Sequence, residues 1–208
     1  MTHPVCSTAR RAKHLADRTT SAAALILGSP VFMLLALAVR LSMGAPILFR
    51  QERAGENGEP FTLLKFRTMS DARNEQGDLL PDSARTTAVG RILRNTSLDE
   101  LPQLWNVLRG EMSLVGPRPH PLEHLRYYRG DESLRLSMRP GMTSLPGVLG
   151  RNLLRWDDRL ALDVEYVRKW SLSLDLWIAW RTLWVILTAH GASTTPASDS
   201  LHERGPRE

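Results

Sequence analysis

The chain has 208 residues, enough for one domain with a real core. A formal net charge of +5 calls for an anionic partner, whether nucleic acid, lipid head groups or a phosphorylated substrate. A single cysteine, Cys6, excludes an intrachain disulfide and a cysteine metal cluster, and 24% charged residues exclude a disordered polyelectrolyte.

The first element in chain order is an uncharged run from Thr19 to Val39. Its length, roughly 20 residues, matches the hydrocarbon thickness of a bilayer. Arg10, Arg11, Lys13 and Arg18 precede it, as in a secretory signal, but Arg40 follows and no small-x-small cleavage site is visible. A spanning helix and a helix that enters and returns on the same side both fit. Gly28-Ser29-Pro30 lies mid-run, where proline breaks a helix and the Ser29 hydroxyl can cap a freed backbone group. Cations flank both ends, the far side through Arg40, Arg50 and Arg53, which is natural for a hairpin with both ends in the cytoplasm.

A short strand is expected over Ala45 to Phe49, then a turn at Gly55 to Glu59 and a return strand over Phe61 to Met69. Lys65 and Arg67 share one side of that return strand, either as phosphate ligands or as a solvated face. Asp71 to Arg85 reads as a loop. Helical pieces are expected from Val89, over Asp131 to Met138 (ended by Arg139-Pro140-Gly141) and over Leu160 to Lys169. Trp170 to His190 interleaves four tryptophans with aliphatics, interrupted by Asp175 and Arg181. It fits an amphipathic helix in the membrane surface, and a Trp-rich core helix equally well. Gly191 to Glu208 is expected to be a disordered tail.

The chemistry concentrates at Asp99-Glu100, at the head of the apolar run Leu101, Leu104, Trp105, Leu108. Ser97 and Glu100 have the spacing of a capping box, which is the plainer reading of the pair. Its surroundings favour a second one. Asp99 near a helix N-terminus would stay ionised, as a nucleophile requires. Glu100 can bind Mg²⁺, which takes one or two carboxylates plus substrate phosphates. Arg94 precedes the pair, and Arg118 follows within the rigid turn Gly116-Pro117-Arg118-Pro119, both suited to phosphate. An acid pair, a metal and several arginines suit chemistry on a diphosphate.

These blocks together resemble one family. Ser29-Pro30, Lys65 to Met69, Leu98 to Val107, Met112 to Pro119, Arg139-Pro140-Gly141 and Gly150-Arg151-Asn152 occur in the order and spacing of bacterial initiating sugar transferases, the small monotopic phosphoglycosyl transferases. The resemblance runs from about Ser21 to His190. It implies transfer of a phospho-sugar from a UDP-sugar to undecaprenyl phosphate, with release of UMP, as the first membrane step of glycan assembly. It further implies Asp99 as nucleophile of a covalent phospho-aspartyl intermediate, Glu100 as Mg²⁺ ligand, and Lys65, Arg94, Arg118 and Arg151 as phosphate-binding residues, with Arg67 grouped among them. It makes Ser29-Pro30 the break of a re-entrant helix.

The implied fold is mainly α with a short β-hairpin, monotopic in the membrane, with a re-entrant helix-break-helix and interfacial amphipathic helices. The expected organisation is a basic segment over 1–18, the re-entrant helix over 19–42, a catalytic domain on the cytoplasmic face of the inner membrane over 43–190, and the tail over 191–208. Membrane lipids join the two substrates as partners, and a homo-oligomer is allowed. One block departs: where the family has Thr-Gly-Trp and two amides, this chain has Thr143-Ser144-Leu145-Pro146-Gly147-Val148-Leu149. That departure motivates an alternative, a catalytically weak homologue acting as a membrane-bound partner or regulator. A nucleic-acid-binding protein is disfavoured by the apolar segment and the lack of a basic-aromatic stripe. Because Glu100 cannot both cap Ser97 and bind a metal, the capping box is expected not to form fully.

Overall fold

In a computed structural model of the chain, residues 7–150 and 153–188 are described. The expected tail, Arg151 and Asn152, and the last two residues of the Trp-rich run lie outside them. The basic N-terminal stretch is not a separate segment. It forms the first half of helix α1 (Ser7–Leu27), which is continuous with the start of the apolar run.

Gly28 separates α1 from α2 (Ser29–Met43), and the two helices bend by 67°. Pro30 supplies no N–H to the ladder, and a Cβ at Gly28 would approach the Ala24 carbonyl to 2.6 Å. Among the described residues the Ser29 hydroxyl makes no hydrogen bond, so the break rests on Gly28 and Pro30 rather than on a serine cap. Among the described residues no single helix is long and apolar enough to cross a membrane. The 15 residues of α2 rise only about 22 Å, short of the ~30 Å hydrocarbon core.

α2 buries one face. Phe32, Leu35, Ala36 and Val39 pack with Phe66, Leu93, Leu98 and Leu101, and the opposite face leaves Met33, Leu34, Leu37 and Leu41 exposed. The expected hairpin is present with shifted bounds: β1 (Leu48–Ala54) lies later than its apolar residues suggested and pairs antiparallel with β2 (Pro60–Phe66), which ends earlier. Then come the short α3 (Asp82–Arg85), α4 (Ala88–Thr96) and α5 (Gln103–Arg109). A second pair was not foreseen. β3 (Ser113–Val115) and β4 (Gly141–Thr143), each three residues long, pair in parallel, too short to leave a period-2 signature. The expected helical piece after Asp131 is a 3₁₀ stretch, Gly130–Ser137.

α6 (Leu145–Leu149) begins at Ser144, whose hydroxyl accepts from the Gly147 amide at 3.3 Å. Leu145 and Val148 of the departed block are buried with Val115, Met138, Tyr166 and Ile178. α7 (Trp156–Lys169) and α8 (Leu172–Thr188) complete the domain. α8 is not a Trp-rich core helix. Asp175, Ile178 and Val185 face inward, while Leu176, Trp177, Trp180, Leu183 and Trp184 are exposed.

α1 is welded to the domain by its basic half. The Lys13 ammonium is buried and lies 2.7 Å from the Asp175 carboxylate and 3.7 Å from Asp17. Asp17 accepts from Ser113 at 2.5 Å, and Asp175 accepts from Tyr166 at 2.6 Å and from the Trp170 indole at 3.1 Å. Of the residues read from sequence as a charge flank for a membrane segment, Lys13 is thus part of the core, while Arg11 and Arg18 are exposed.

Candidate active site

α4 ends at Ser97, which adopts a left-handed conformation, φ +58°. That reversal starts a 3₁₀ turn, Leu98–Glu100, and α5 begins only after Pro102. The capping box is accordingly absent: Ser97 makes no side-chain cap, and the Glu100 carboxylate turns elsewhere.

β2 supplies its partner. Phe61 and Leu63 pack with Val107 and Met112, and Lys65, two residues on, continues the same strand face to its end. There its ammonium meets Glu100 Oε1 at 2.6 Å. Arg118 reaches the same oxygen at 3.3 Å. Both bonds fall on Oε1, so among the described residues Oε2 takes none. Burial pushes the Glu100 pKa upward, but Arg118 and Lys65 override it and hold the carboxyl down at about 2.

Asp99 is treated differently. No side chain among the described residues hydrogen-bonds its carboxylate. Burial raises its pKa, opposed by Lys65 and Arg94 and reinforced by Glu100. The sequence expectation that the helix end keeps Asp99 ionised therefore gives the wrong leading cause: desolvation dominates, and neighbouring cations do the counterbalancing. A desolvated carboxylate held only by a backbone hydrogen bond is a more reactive nucleophile than a fully solvated one.

Arg94 sits in the last turn of α4, its Nε donating to Thr68 Oγ1 at 2.9 Å. Gly90 permits this approach, since a Cβ there would overlap the Thr68 carbonyl at 1.9 Å. Asn106, fully buried, ties α5 to β2: its Oδ1 accepts from Leu64 N at 3.1 Å and its Nδ2 donates to Thr62 O at 2.7 Å. Arg67 is more deeply engaged than a surface cation. Its guanidinium donates to the carbonyls of Met69, Ala45 and Met43 and to Asp71, fixing the chain between α2 and the hairpin.

Lys65, Arg67, Arg94 and Asp99 line one groove of about 1640 Å³. Its far end is apolar, reaching Leu25, Phe32, Met33 and Ala36 beside the bare face of α2. Arg40 and Arg50, read from sequence as membrane flanks, also line it. Among the described residues no group of three or more His, Cys, Asp or Glu side chains is placed to hold a metal ion. Mg²⁺ needs no such cluster, because substrate phosphates complete its shell. The ionised Glu100, with Oε2 open, fits that ion.

A family model described as bacterial sugar transferase matches residues 8–189. The chain belongs to the bacterial sugar transferase family. Among its relatives, the uncharacterized sugar transferase EpsL of Bacillus subtilis is 44% identical, over 88% of this chain and 91% of EpsL. A UDP-glucose:undecaprenyl-phosphate glucose-1-phosphate transferase of Caulobacter vibrioides is 43% identical, over 86% of this chain and 71% of its own. The exopolysaccharide production protein ExoY of Rhizobium meliloti is 38% identical, over 87% and 88%. The protein is thus a transferase of the initiating sugar transferase type.

In this transferase the structure brings together Lys65, Arg94, Asp99, Glu100 and Arg118 and ties Arg67 into the groove wall; Arg151 lies outside the described residues. Sequence reasoning overlooked Thr68, Asn106 and Arg135. Thr68 stands inside the Lys65 to Met69 block, and Asn106 inside the Leu98 to Val107 block, where an amide among apolar residues is the visible signal.

Proposed function

We propose that the transferase moves a phospho-sugar from a UDP-sugar to undecaprenyl phosphate through a covalent intermediate on Asp99. The carrying observation is the groove: at its basic end a desolvated carboxylate that no described side chain hydrogen-bonds, and an apolar end against the bare face of α2. The relatives named for UDP-glucose and undecaprenyl phosphate support the same two substrates.

An Asp99 oxygen attacks the sugar-bearing phosphorus. The bond from that phosphorus to the bridging oxygen breaks, and UMP leaves with the electron pair. An oxygen of the lipid phosphate then attacks the same phosphorus, and the Asp99 carboxylate departs, leaving the polyprenyl diphosphate sugar. Lys65, Arg94 and Arg118 neutralise the charge spread over the phosphoryl oxygens. Glu100, fixed by Lys65 and Arg118, would hold Mg²⁺, which would neutralise diphosphate charge and favour UMP departure. The apolar end of the groove takes the first isoprene units, and Arg40 and Arg50 face the lipid phosphate on its way to Asp99. The bent α1–α2 pair enters and leaves the cytoplasmic leaflet on one side, and α8 lies in its surface with Trp177, Trp180 and Trp184 at the interface.

UMP release over a panel of UDP-sugars with undecaprenyl phosphate tests the reaction, with trapping of a phospho-sugar adduct on the protein. Adduct formation in Asp99→Asn would overturn the nucleophile. EDTA stops turnover and Mg²⁺ restores it; indifference to both removes the metal. For topology, single cysteines at Thr8 and Gln51, in a Cys6→Ser background, label from the same side of the membrane. Labelling from opposite sides means a span.

A further inference from the structure

Arg118 is the exposed member of the site, its side chain 54% accessible and its only ion pair among the described residues the 3.3 Å contact with Glu100. A side chain so placed takes its aim from its backbone. That backbone is unusual in having little to donate: Pro117 and Pro119 flank Arg118, and proline has no N–H.

The turn is held by its carbonyls. Pro117 O accepts from Gly141 N at 2.8 Å, and His120 O is the acceptor for Ala54 N at 2.9 Å. Pro119 O accepts from Arg53 Nη1 at 3.2 Å. Arg118 O accepts from Arg135 Nη2. Four successive carbonyls are thus clamped by donors from β1, β4 and the Gly130–Ser137 stretch. Gly116 and Gly141 let the two backbones touch, since a Cβ on Gly141 would meet Gly116 N at 2.1 Å.

The Arg135 clamp is the costly one. Its guanidinium is 2% exposed, and the paired Asp163 of α7 is 1% exposed. Asp163 Oδ2 accepts from Nη2 at 2.6 Å and from Nε at 3.1 Å, while Nη1 donates to the Tyr128 hydroxyl at 2.6 Å. That hydroxyl in turn meets His120 Nδ1 at 2.9 Å, two residues beyond Arg118. Ion pairs this deep add little or nothing to stability compared with apolar replacements of similar volume. What this one does is fix the plane of a guanidinium whose Nη2 also donates to Arg118 O. We infer that Arg135, oriented by Asp163 and Tyr128, is a positioning residue that aims Arg118 at the donor diphosphate.

The inference rests on the proposed phosphate-binding role of Arg118, and a double-mutant cycle separates the two. UMP release is measured on the full chain with the UDP-sugar that the unsubstituted protein turns over fastest. Arg118→Ala raises the donor KM, and Arg135→Lys, which keeps the charge but not the fork, raises it about tenfold with kcat less affected. In the double variant the Arg135→Lys effect disappears, leaving KM within about twofold of Arg118→Ala alone. Arg135→Met with Asp163→Leu removes both buried charges and repeats the cycle if Arg135→Lys does not fold. Losses that multiply in the double variant, or that fall on kcat alone, overturn the inference. An unchanged donor KM in Arg118→Ala overturns the role of Arg118 instead, and no turnover with any donor overturns the reaction itself.

Discussion

Two ion clusters, built from the same side-chain types, do opposite things. At the foot of α8, Lys13 lies between Asp17 and Asp175, buried, with Ser113 donating to Asp17 and Tyr166 and Trp170 donating to Asp175. At the groove, Lys65 and Arg118 crowd onto a single oxygen of Glu100, while the adjacent Asp99 receives no side-chain donor. The first cluster is closed and holds helices together. The second leaves one carboxylate desolvated and one oxygen open, which is poor for stability and suited to attack and metal binding. A side-chain donor on each carboxylate marks a joint, and a carboxylate left without one marks a reactive site.

Exchanging a side chain in each cluster breaks this contrast most sharply. Asp99→Asn lowers turnover by roughly 1000-fold or more. It also raises the melting temperature. The folded-state pKa of Asp99 lies above its ordinary 3.8, so at neutral pH the ionised form costs stability that a neutral amide does not. A melting temperature that falls would contradict the desolvated carboxylate. Lys13→Ala has the reverse signature. It leaves two buried carboxylates without their cation and costs about 3 to 5 kcal/mol by thermal or denaturant unfolding, with near-normal activity per folded molecule at low temperature.

Lys65→Ala comes next. Its pair is partly exposed, so it costs under about 1 kcal/mol of stability, but kcat/KM falls about 10- to 100-fold as Glu100 and the phosphoryl group lose a cation. The pH profile sharpens the contrast within the acid pair. Activity falls as pH drops through the raised pKa of Asp99, so the acid limb of kcat/KM lies above 3.8. Glu100 stays ionised down to about pH 2, and its contribution to stability, full above its ordinary 4.5, is lost only as pH falls through about 2. An acid limb that Glu100→Gln abolishes would reverse these assignments. The smallest effect is at the turn itself: Ser97→Gly changes stability by less than about 1 kcal/mol, whereas Ser97→Val, β-branched at a positive φ, costs more than that.

The site was legible in the sequence where chemistry is written locally. Asp99-Glu100, Arg94 and the Gly-Pro-Arg-Pro turn stand out by residue type, and Gly28 to Pro30 announce a break at any reading. What stayed hidden depends on contacts distant along the chain. Lys13 looked like a membrane flank because its partner Asp175 is 162 residues away. Arg135 sits in an ordinary helical-looking stretch, and its function depends on Arg118 O and Asp163 converging from other elements. The three-residue β3 and β4 carry no periodicity of their own. The leading influence on Asp99 was misjudged because desolvation is a property of packing, which a helix-end argument does not include.

α1 runs unbroken from Ser7 to Leu27, with its first half in the core and its last residues, Ile26 and Leu27, bare. There is no hinge between what is fixed to the domain and what meets the lipid in the proposed topology. From Lys13 to Leu27 the axial distance is roughly 21 Å, set by a rise of 1.5 Å per residue. In the proposed topology the helix is therefore a depth gauge: it sets how far above the acyl chains Asp99 sits. Inserting four residues between Arg18 and Ser21 would lift the groove by about 6 Å while nearly preserving the facing of the helix. Inserting two would turn the bare face of α2 to the far side.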